Sequence, residues 1–233
     1  MPRMTADLHP KAVIFDCDGV LLDSEYQVYD ALMHVLTPMG VHVEAEIANQ
    51  FHGTAPPLIE SVCNLIGVPV TPTMMQAYRE RRRWQLENHL ETIPHAQTLV
   101  ESLAVPKAVA SGSPMERLQL TLKPTGFWNH FTPHIYSGFD QPNGKPAPDV
   151  YLHAARQIGT LPEHCLVIED SANGVKAGVA AGMTVWGFVG GKHCDDTHGD
   201  MLRDAGAVAV FETMPDIHAA IRTRLPHLLK EGA

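Results

Sequence analysis

The chain of 233 residues has no run of about 20 apolar residues, the length that a helix needs to span a bilayer. Residues 1–10 lack the apolar segment of a signal peptide, so we expect a cytoplasmic protein. Basic residues are also scarce, since 17 Lys+Arg stand against 26 Asp+Glu, a net charge of −9. Because nucleic acids and anionic membranes attract basic surfaces, neither is expected as a partner.

Patterns typical of disulfide frameworks and zinc proteases are absent as well. The four cysteines lie far apart without a CxxC pair: Cys17, Cys63, Cys165 and Cys194. In a chain of this length without an export signal, they are predicted to be reduced thiols. No HExxH motif occurs. The composition, 45% hydrophobic and 18% charged, is that of a globular protein with a substantial core.

Short apolar runs alternate with helical patterns along most of the chain. The runs are typical of strands buried on both faces of a parallel sheet, and they cover residues 11–15, 107–110, 165–168, 183–188 and 207–211. The helical patterns cover residues 115–122, 149–158, 173–181 and 215–229. This alternation predicts an α/β fold with a Rossmann-like parallel sheet.

The interval between residues 24 and 90 breaks the alternation, because it contains only helical patterns. Four helices are predicted there, over residues 26–39, 44–51, 57–66 and 73–90. The pattern predicts an inserted all-helical domain of residues 23–93, with the α/β core formed by residues 1–22 and 94–233. Such a domain would lie over the carboxyl edge of the sheet, where open α/β folds bind ligands.

Two pairs of acidic residues follow predicted strands. Asp16 and Asp18 come directly after the first apolar run, and Glu169 and Asp170 follow the run at 165–168. Parallel strands would present both pairs at one sheet edge, where like charges repel and burial disfavours ionisation. Mg²⁺, which prefers carboxylates, water and phosphate oxygens, would relieve that repulsion.

Two further segments have the character of anion sites. Ser111 and Gly112 follow the strand predicted at 107–110 and precede a helix, where free N–H groups and a hydroxyl attract phosphate. Lys145 lies between Gly144 and Pro146, which would hold its ammonium group in place. The residue after Lys145 is not Ser or Thr, so this is not a Walker loop.

Four segments resemble, in order, the motifs of the haloacid dehalogenase superfamily: residues 16–25, Ser111, residues 144–149 and residues 167–178. The helical block occupies the place of that superfamily's type-I cap. The resemblance covers nearly the whole chain, and it is to the β-phosphoglucomutase and sugar-phosphatase branch. It implies a Mg²⁺-dependent phosphatase that hydrolyses a small phosphorylated metabolite, a sugar or sugar-acid phosphate, acting as a monomer or weak homodimer.

The resemblance also implies a role for each acid. Asp16 would attack phosphorus and form an aspartyl-phosphate. Asp18 would protonate the leaving oxygen and then take a proton from water. Mg²⁺ would be held by the Asp16 carboxylate, the Asp18 backbone carbonyl and Asp170, with Glu169 as a further ligand or behind the ligands.

The phosphoryl oxygens would be held by the two anion segments. On the same resemblance, Lys145 and Ser111 would contact them, helped by the backbone N–H groups of Gly19 and Gly112. The helical cap would close over the substrate and exclude water.

Three other functions remain as alternatives. In the β-phosphoglucomutase branch a histidine lies near the position of Val28 and a cap arginine near Pro56 or Pro57; neither is present here. A dehalogenase would need neither Asp18 nor Mg²⁺, because halide leaves without a proton. A binding protein without activity is disfavoured, because every motif residue is intact. Hydrolysis of a phosphate ester is therefore the leading hypothesis.

Two features leave the substrate open. The helical pattern at 73–90 carries Arg79, Arg81, Arg82 and Arg83. Such a run is usually a solvated face, but one arginine facing the cleft would favour a substrate with a carboxylate or a second phosphate.

The second feature is the glycine-rich loop of residues 190–198, which contains donor types that bind Zn²⁺: His193, Cys194, Asp196 and His198. Their spacing matches no closed zinc motif. We expect a mobile loop bordering the cleft, where His193 affects substrate affinity modestly and stability very little.

Overall fold

The computed structural model describes residues 9–44, 47 and 58–232. Its centre is a six-stranded sheet in the order β3-β2-β1-β4-β5-β6, in which every neighbouring pair is parallel. The strands are β1 (Ala12–Phe15), β2 (Lys107–Ser111), β3 (Ile135–Ser137), β4 (Cys165–Glu169), β5 (Thr184–Phe188) and β6 (Ala209–Phe211). The predicted α/β fold is confirmed.

A group of helices follows β1 directly. They are α1 (Gln27–Leu36), α2 (Leu58–Leu65) and α3 (Pro72–Asn88), and they share an apolar cluster of their own. Thr71 begins α3 by accepting a hydrogen bond from the Met74 N–H at 3.2 Å, and Pro72 suits the first helical turn. The helix predicted at 44–51 lies outside the described residues, apart from residues 44 and 47.

The chain enters and leaves this helical group through paired segments. The Asp23 N–H donates to the Glu91 carbonyl at 2.9 Å, and the Ile93 N–H donates to the Leu21 carbonyl at 2.9 Å. The two connections between the core and the helical group therefore run side by side and hydrogen-bond to each other. The boundaries of 23 and 93 remain our proposal for the domain limits.

Seven helices cover the two faces of the sheet in the described part of the chain. They are α4 (Ala96–Ser102), α5 (Met115–Leu122), α6 (Phe127–Phe131), α7 (Asp149–Gln157), α8 (Ala172–Ala180), α9 (His198–Ala205) and α10 (Met214–Arg224). Val13 and Phe15 face one apolar cluster, while Ala12 and Ile14 face another. Burial of both faces explains why the strands read as continuous apolar runs. None of the helices in the described ranges is both long and apolar enough to cross a bilayer.

Several elements differ from the prediction. β3 was not predicted, because three residues at the sheet edge give too short a pattern. The short helices α4 and α6 were also missed. The last helix ends at Arg224, five residues before the predicted limit, and a 3₁₀ turn follows at Pro226–Leu228. Pro226 disfavours a helical conformation at the residue before it, which accounts for that end.

Candidate active site

Three buried acids meet at the carboxyl edge of the sheet. β1 and β4 are parallel neighbours with Phe15 opposite Ile168, so the acids that follow them converge. Carboxylate oxygens of Asp16, Glu169 and Asp170 lie within 4.8 Å of one another. These residues are only 6%, 0% and 4% exposed. The arrangement is costly for three negative charges unless cations accompany them.

Lys145 supplies one of those cations. Its Nζ lies 2.5 Å from Asp16 Oδ1 and 2.6 Å from Glu169 Oε1. Burial lowers the pKa of Lys145, but the two carboxylates outweigh it and raise the pKa well above its usual value. Burial raises the pKa of Asp16 despite the neighbouring ammonium group. Lys145 thus remains charged and holds the Asp16 carboxylate in place.

Glu169 is hydrogen-bonded through both of its carboxylate oxygens. Oε1 accepts from Lys145 and from the Tyr151 hydroxyl at 3.1 Å. Oε2 accepts from the Ser171 N–H at 2.7 Å and the Ser171 hydroxyl at 3.1 Å. Because these donors use its lone pairs, Glu169 is better suited to positioning Lys145 than to ligating a metal directly.

His193 supplies the second cation. Its Nε2 lies 3.0 Å from Asp170 Oδ2, and its side chain is only 3% exposed. Burial raises the pKa of Asp170 to about 6, with the nearby histidine opposing the change. For His193, burial lowers the pKa, but the bond to Asp170 outweighs it and raises the pKa to about 11. Sequence analysis did not pair this histidine with Asp170, although its loop follows a strand at the same edge.

The rest of the 190–198 loop also serves Asp170. His198 Nε2 lies 2.6 Å from the Asp170 backbone carbonyl, and Cys194 Sγ lies 3.5 Å from His193 Nε2. Donor atoms of the two histidines and Cys194 all lie within 4.8 Å of one another. Since each histidine already directs its Nε2 at Asp170, the cluster supports the acidic site. From the sequence we expected removal of His193 to affect stability very little; its buried ion pair with Asp170 favours a larger loss.

Asp18 lies beside the three acids but has different partners. Its Oδ1 accepts from the Ser24 hydroxyl at 2.5 Å and from Arg117 Nη2 at 2.7 Å. Its Oδ2 accepts from the Ser113 hydroxyl at 2.7 Å. Burial raises the pKa of Asp18, but Arg117 and the two hydroxyls bring it below the usual value. Arg117, in the first turn of α5, was not singled out from the sequence.

The predicted phosphate-binding residues Ser111, Gly112 and Gly19 lie at the same edge of the sheet as these acids. Ser111 ends β2, the neighbour of β1, and is 1% exposed, while Gly112 beside it is exposed. Gly19 has φ +80°, and a Cβ there would lie 1.8 Å from Asp170 Oδ2. Only glycine permits that approach. The clustered carboxylate oxygens of Asp16 and Asp170 are of the type that a hard divalent cation such as Mg²⁺ prefers.

One of the four arginines on α3 faces inward. Arg82 is 7% exposed, and both of its Nη atoms lie 3.3 Å from the Ser24 carbonyl. Arg81 pairs with Asp30 and Arg83 with Glu87 on the exposed side. Ser24 therefore connects Arg82 through its carbonyl to Asp18 through its hydroxyl.

Comparison with known proteins gives a consistent result. The profile of the haloacid dehalogenase-like hydrolases matches residues 10–182. The 6-phosphogluconate phosphatase of Escherichia coli K12 is 30% identical over 191 residues, which cover 81% of this chain and 84% of that protein.

Two solved structures are similar over nearly the whole chain. A conserved haloacid dehalogenase-like protein of unknown function from Agrobacterium tumefaciens C58 has a TM-score of 0.83 and 34% identity, covering 92% of this chain and 98% of that one. A HAD family hydrolase from Deinococcus radiodurans R1, with bound phosphate and sodium, has a TM-score of 0.81 and 33% identity, covering 96% and 99%.

Proposed function

The chain belongs to the haloacid dehalogenase-like hydrolases, and from this membership we propose that it is a Mg²⁺-dependent phosphatase of sugar or sugar-acid phosphates. The observation that carries the proposal is the Asp16–Lys145–Glu169 arrangement at the sheet edge. It combines a carboxylate nucleophile with a fixed cation, which is what transfer of a phosphoryl group requires.

The first chemical step uses Asp16 and Asp18. An Asp16 oxygen attacks phosphorus, the bond to the leaving oxygen breaks, and an aspartyl-phosphate forms. Asp18 is ionised while Arg117 and the two hydroxyls hold it, so it first leaves these donors and takes up a proton from water; it then gives that proton to the leaving oxygen, and the alcohol departs neutral. Lys145 and the N-terminal end of α5 beside Ser111 stabilise the charge on the phosphoryl oxygens.

Hydrolysis of the intermediate reverses the role of Asp18. It takes a proton from water while the water oxygen attacks phosphorus, which releases phosphate and restores the Asp16 carboxylate. Mg²⁺, when bound, neutralises charge on the phosphoryl group. The carboxylates of Asp16 and Asp170 and the backbone carbonyl of Asp18 would hold it, with Glu169 behind them.

Val28 favours hydrolysis over the mutase reaction, in which a phosphoryl group is transferred on a sugar. Val28 lies on α1, is 8% exposed, and packs in the apolar cluster of the cap helices. A valine side chain has no hydrogen-bond donor or acceptor and so cannot replace the histidine of the mutase branch. Residues 56 and 57, where a mutase arginine was sought, lie outside the described residues.

The test is phosphate release from sugar phosphates and p-nitrophenyl phosphate by the purified chain and by Asp16→Asn. We expect Asp16→Asn to release phosphate no faster than buffer alone, because an amide is not a nucleophile towards phosphorus. We also expect EDTA to abolish turnover by the wild type. Circular dichroism checks that the variant is folded.

The matched control is Asp140→Asn, which removes an exposed carboxylate outside the site and should keep full activity. Substantial turnover by folded Asp16→Asn would refute the proposed nucleophile. Conversion of glucose 1-phosphate to glucose 6-phosphate without net phosphate release would favour the mutase.

A further inference from the structure

Arg117 forms an ion pair with the proposed proton donor. The Arg117 Nη2 atom lies 2.7 Å from Asp18 Oδ1 and 3.6 Å from Glu25 Oε1. The Arg117 side chain is 26% exposed, so part of it is open to solvent. It lies on α5, which packs against the cap helix α3. Its position is therefore at the junction of the core and the helical group.

Asp18 cannot act on a leaving oxygen while it keeps all of these contacts. Oδ1 accepts from Ser24 and Arg117, and Oδ2 accepts from Ser113. To donate a proton, the carboxyl group must turn one oxygen towards the substrate. If Asp18 moves away, the partly buried guanidinium of Arg117 loses its nearest carboxylate. This loss is costly unless another anion takes that place.

One N–H group of Arg117 has no partner in the part of the chain that the structure describes and could donate to such an anion. Its Nε is buried and has no hydrogen-bond partner among the described residues. A guanidinium presents its N–H groups in a planar fork that matches a carboxylate with two parallel bonds. The positive charge of Arg117 also acts on Arg82 across the junction, where Glu25 lies close to both. Two guanidinium groups therefore share the carboxylates of Asp18 and Glu25, and withdrawal of Asp18 would leave the junction with an excess of positive charge.

We propose that Arg117 selects phosphate esters that carry a carboxylate, by exchanging Asp18 for the carboxylate of the bound substrate. The proposal rests on the function proposed above and names a part of the substrate that the phosphate site does not recognise. Arg117 is then a specificity-determining residue, and through Asp18 it is also a positioning residue. A substrate without the carboxylate leaves Asp18 held on Arg117 and reacts slowly.

The experiment compares two substrates that differ at one carbon. 6-Phosphogluconate carries a carboxylate where sorbitol 6-phosphate carries a hydroxymethyl group. We expect the wild type to prefer 6-phosphogluconate in kcat/KM by about 30-fold, the size of effect found for partly buried charge pairs. Arg117→Gln should reduce this preference below about threefold, and Arg117→Lys should leave an intermediate value.

The ratio of kcat/KM for the two substrates distinguishes a loss of carboxylate recognition from general damage to the site. Both substrates need Asp18, so a mere displacement of Asp18 lowers both values and leaves the ratio intact. Arg83→Gln is the matched control, because it removes an exposed arginine of the same junction, and it should keep the wild-type ratio. A preference unchanged in Arg117→Gln overturns the proposal. If that variant does not fold, an unchanged preference in folded Arg117→Lys overturns it instead.

p-Nitrophenyl phosphate distinguishes this proposal from the proposed function. A wild type that hydrolyses it, yet shows no preference between the two sugar derivatives, overturns the role of Arg117 and leaves the phosphatase assignment standing. A wild type that hydrolyses none of the three esters overturns the phosphatase assignment itself.

Discussion

His193 and Lys145 place positive charge directly against carboxylates that are almost removed from water. Each cation has one main effect on the chemistry. Lys145 holds the carboxylate of Asp16, the proposed nucleophile, whereas His193 holds the carboxylate of Asp170, a proposed metal ligand. Residues that orient a metal ligand in this way tune metal affinity as well as stability.

Replacement of His193 tests its role at this scale. His193→Ala leaves the buried Asp170 carboxylate without its cation, and we expect the free energy of unfolding to fall by about 3 kcal/mol at pH 7. Urea unfolding followed by circular dichroism measures the change. His42→Ala removes a histidine whose side chain is 70% exposed and should change stability very little. Equal stability of wild type and His193→Ala would contradict the ion pair.

The pH dependence of the His193 effect has a definite sign. The pKa of His193 rises from 6.5 to about 11 on folding, so its stabilisation is complete below about pH 6.5 and is lost as the pH rises towards 11. Asp170, with a pKa of about 6, is ionised over most of this window. The stability difference between wild type and His193→Ala should therefore shrink between pH 7 and pH 10.

Among the elements, helix α8 is shaped by the acid that precedes it. Ser171 begins the helix by accepting a hydrogen bond from the Gly174 N–H at 3.1 Å. A Cβ at Gly174 would lie 1.5 Å from Glu169 Oε1, and one at Gly178 would lie 2.6 Å from Val185 Cγ2. These two glycines let the helix lie against the sheet and the buried acid.

Gly174→Ala tests that packing. Glu169 is held by Lys145, Tyr151 and Ser171, so it cannot move aside freely, and we expect a loss of about 1–3 kcal/mol in the free energy of unfolding. Activity should fall as well, because Lys145 shifts with Glu169. Val179→Ala, on the exposed side of the same helix, is the control. A fully stable and active Gly174→Ala variant would show that the site tolerates movement of Glu169.

At the scale of the whole molecule, metal binding at the acidic site would stabilise the folded state. The carboxylates of Asp16 and Asp170 come together only in the folded chain, because β1 and β4 are far apart in sequence. A cation that binds them therefore binds the folded state and stabilises it.

Mg²⁺ should accordingly raise the melting temperature without any substrate. At a concentration of 100 times Kd, binding adds about 2.7 kcal/mol to the free energy of unfolding. Thermal unfolding of the metal-free protein is compared with and without MgCl₂, and Asp170→Asn should lose most of the shift. Asp140→Asn should keep it. The absence of any shift in the wild type at millimolar Mg²⁺ would argue against a metal at this edge.

The sequence by itself determined the architecture and the acids of the site. Buried strands of a parallel sheet are local patterns, and residues directly after β1 and β4 must reach the same edge once those strands are neighbours. Asp16, Asp18, Glu169 and Asp170 could therefore be identified without coordinates. β3 could not, since three residues carry too little pattern.

Only the tertiary structure decided which charged side chains join those acids. Arg117 meets Asp18 from 99 positions away, and Lys145 meets Asp16 from 129 positions away. The motif resemblance had marked Lys145, but no pattern marked Arg117 or chose Arg82 among the arginines of α3. Local sequence sets the turn of a helix on which a side chain lies. The direction in which that turn faces is set by packing between elements that are distant in the chain.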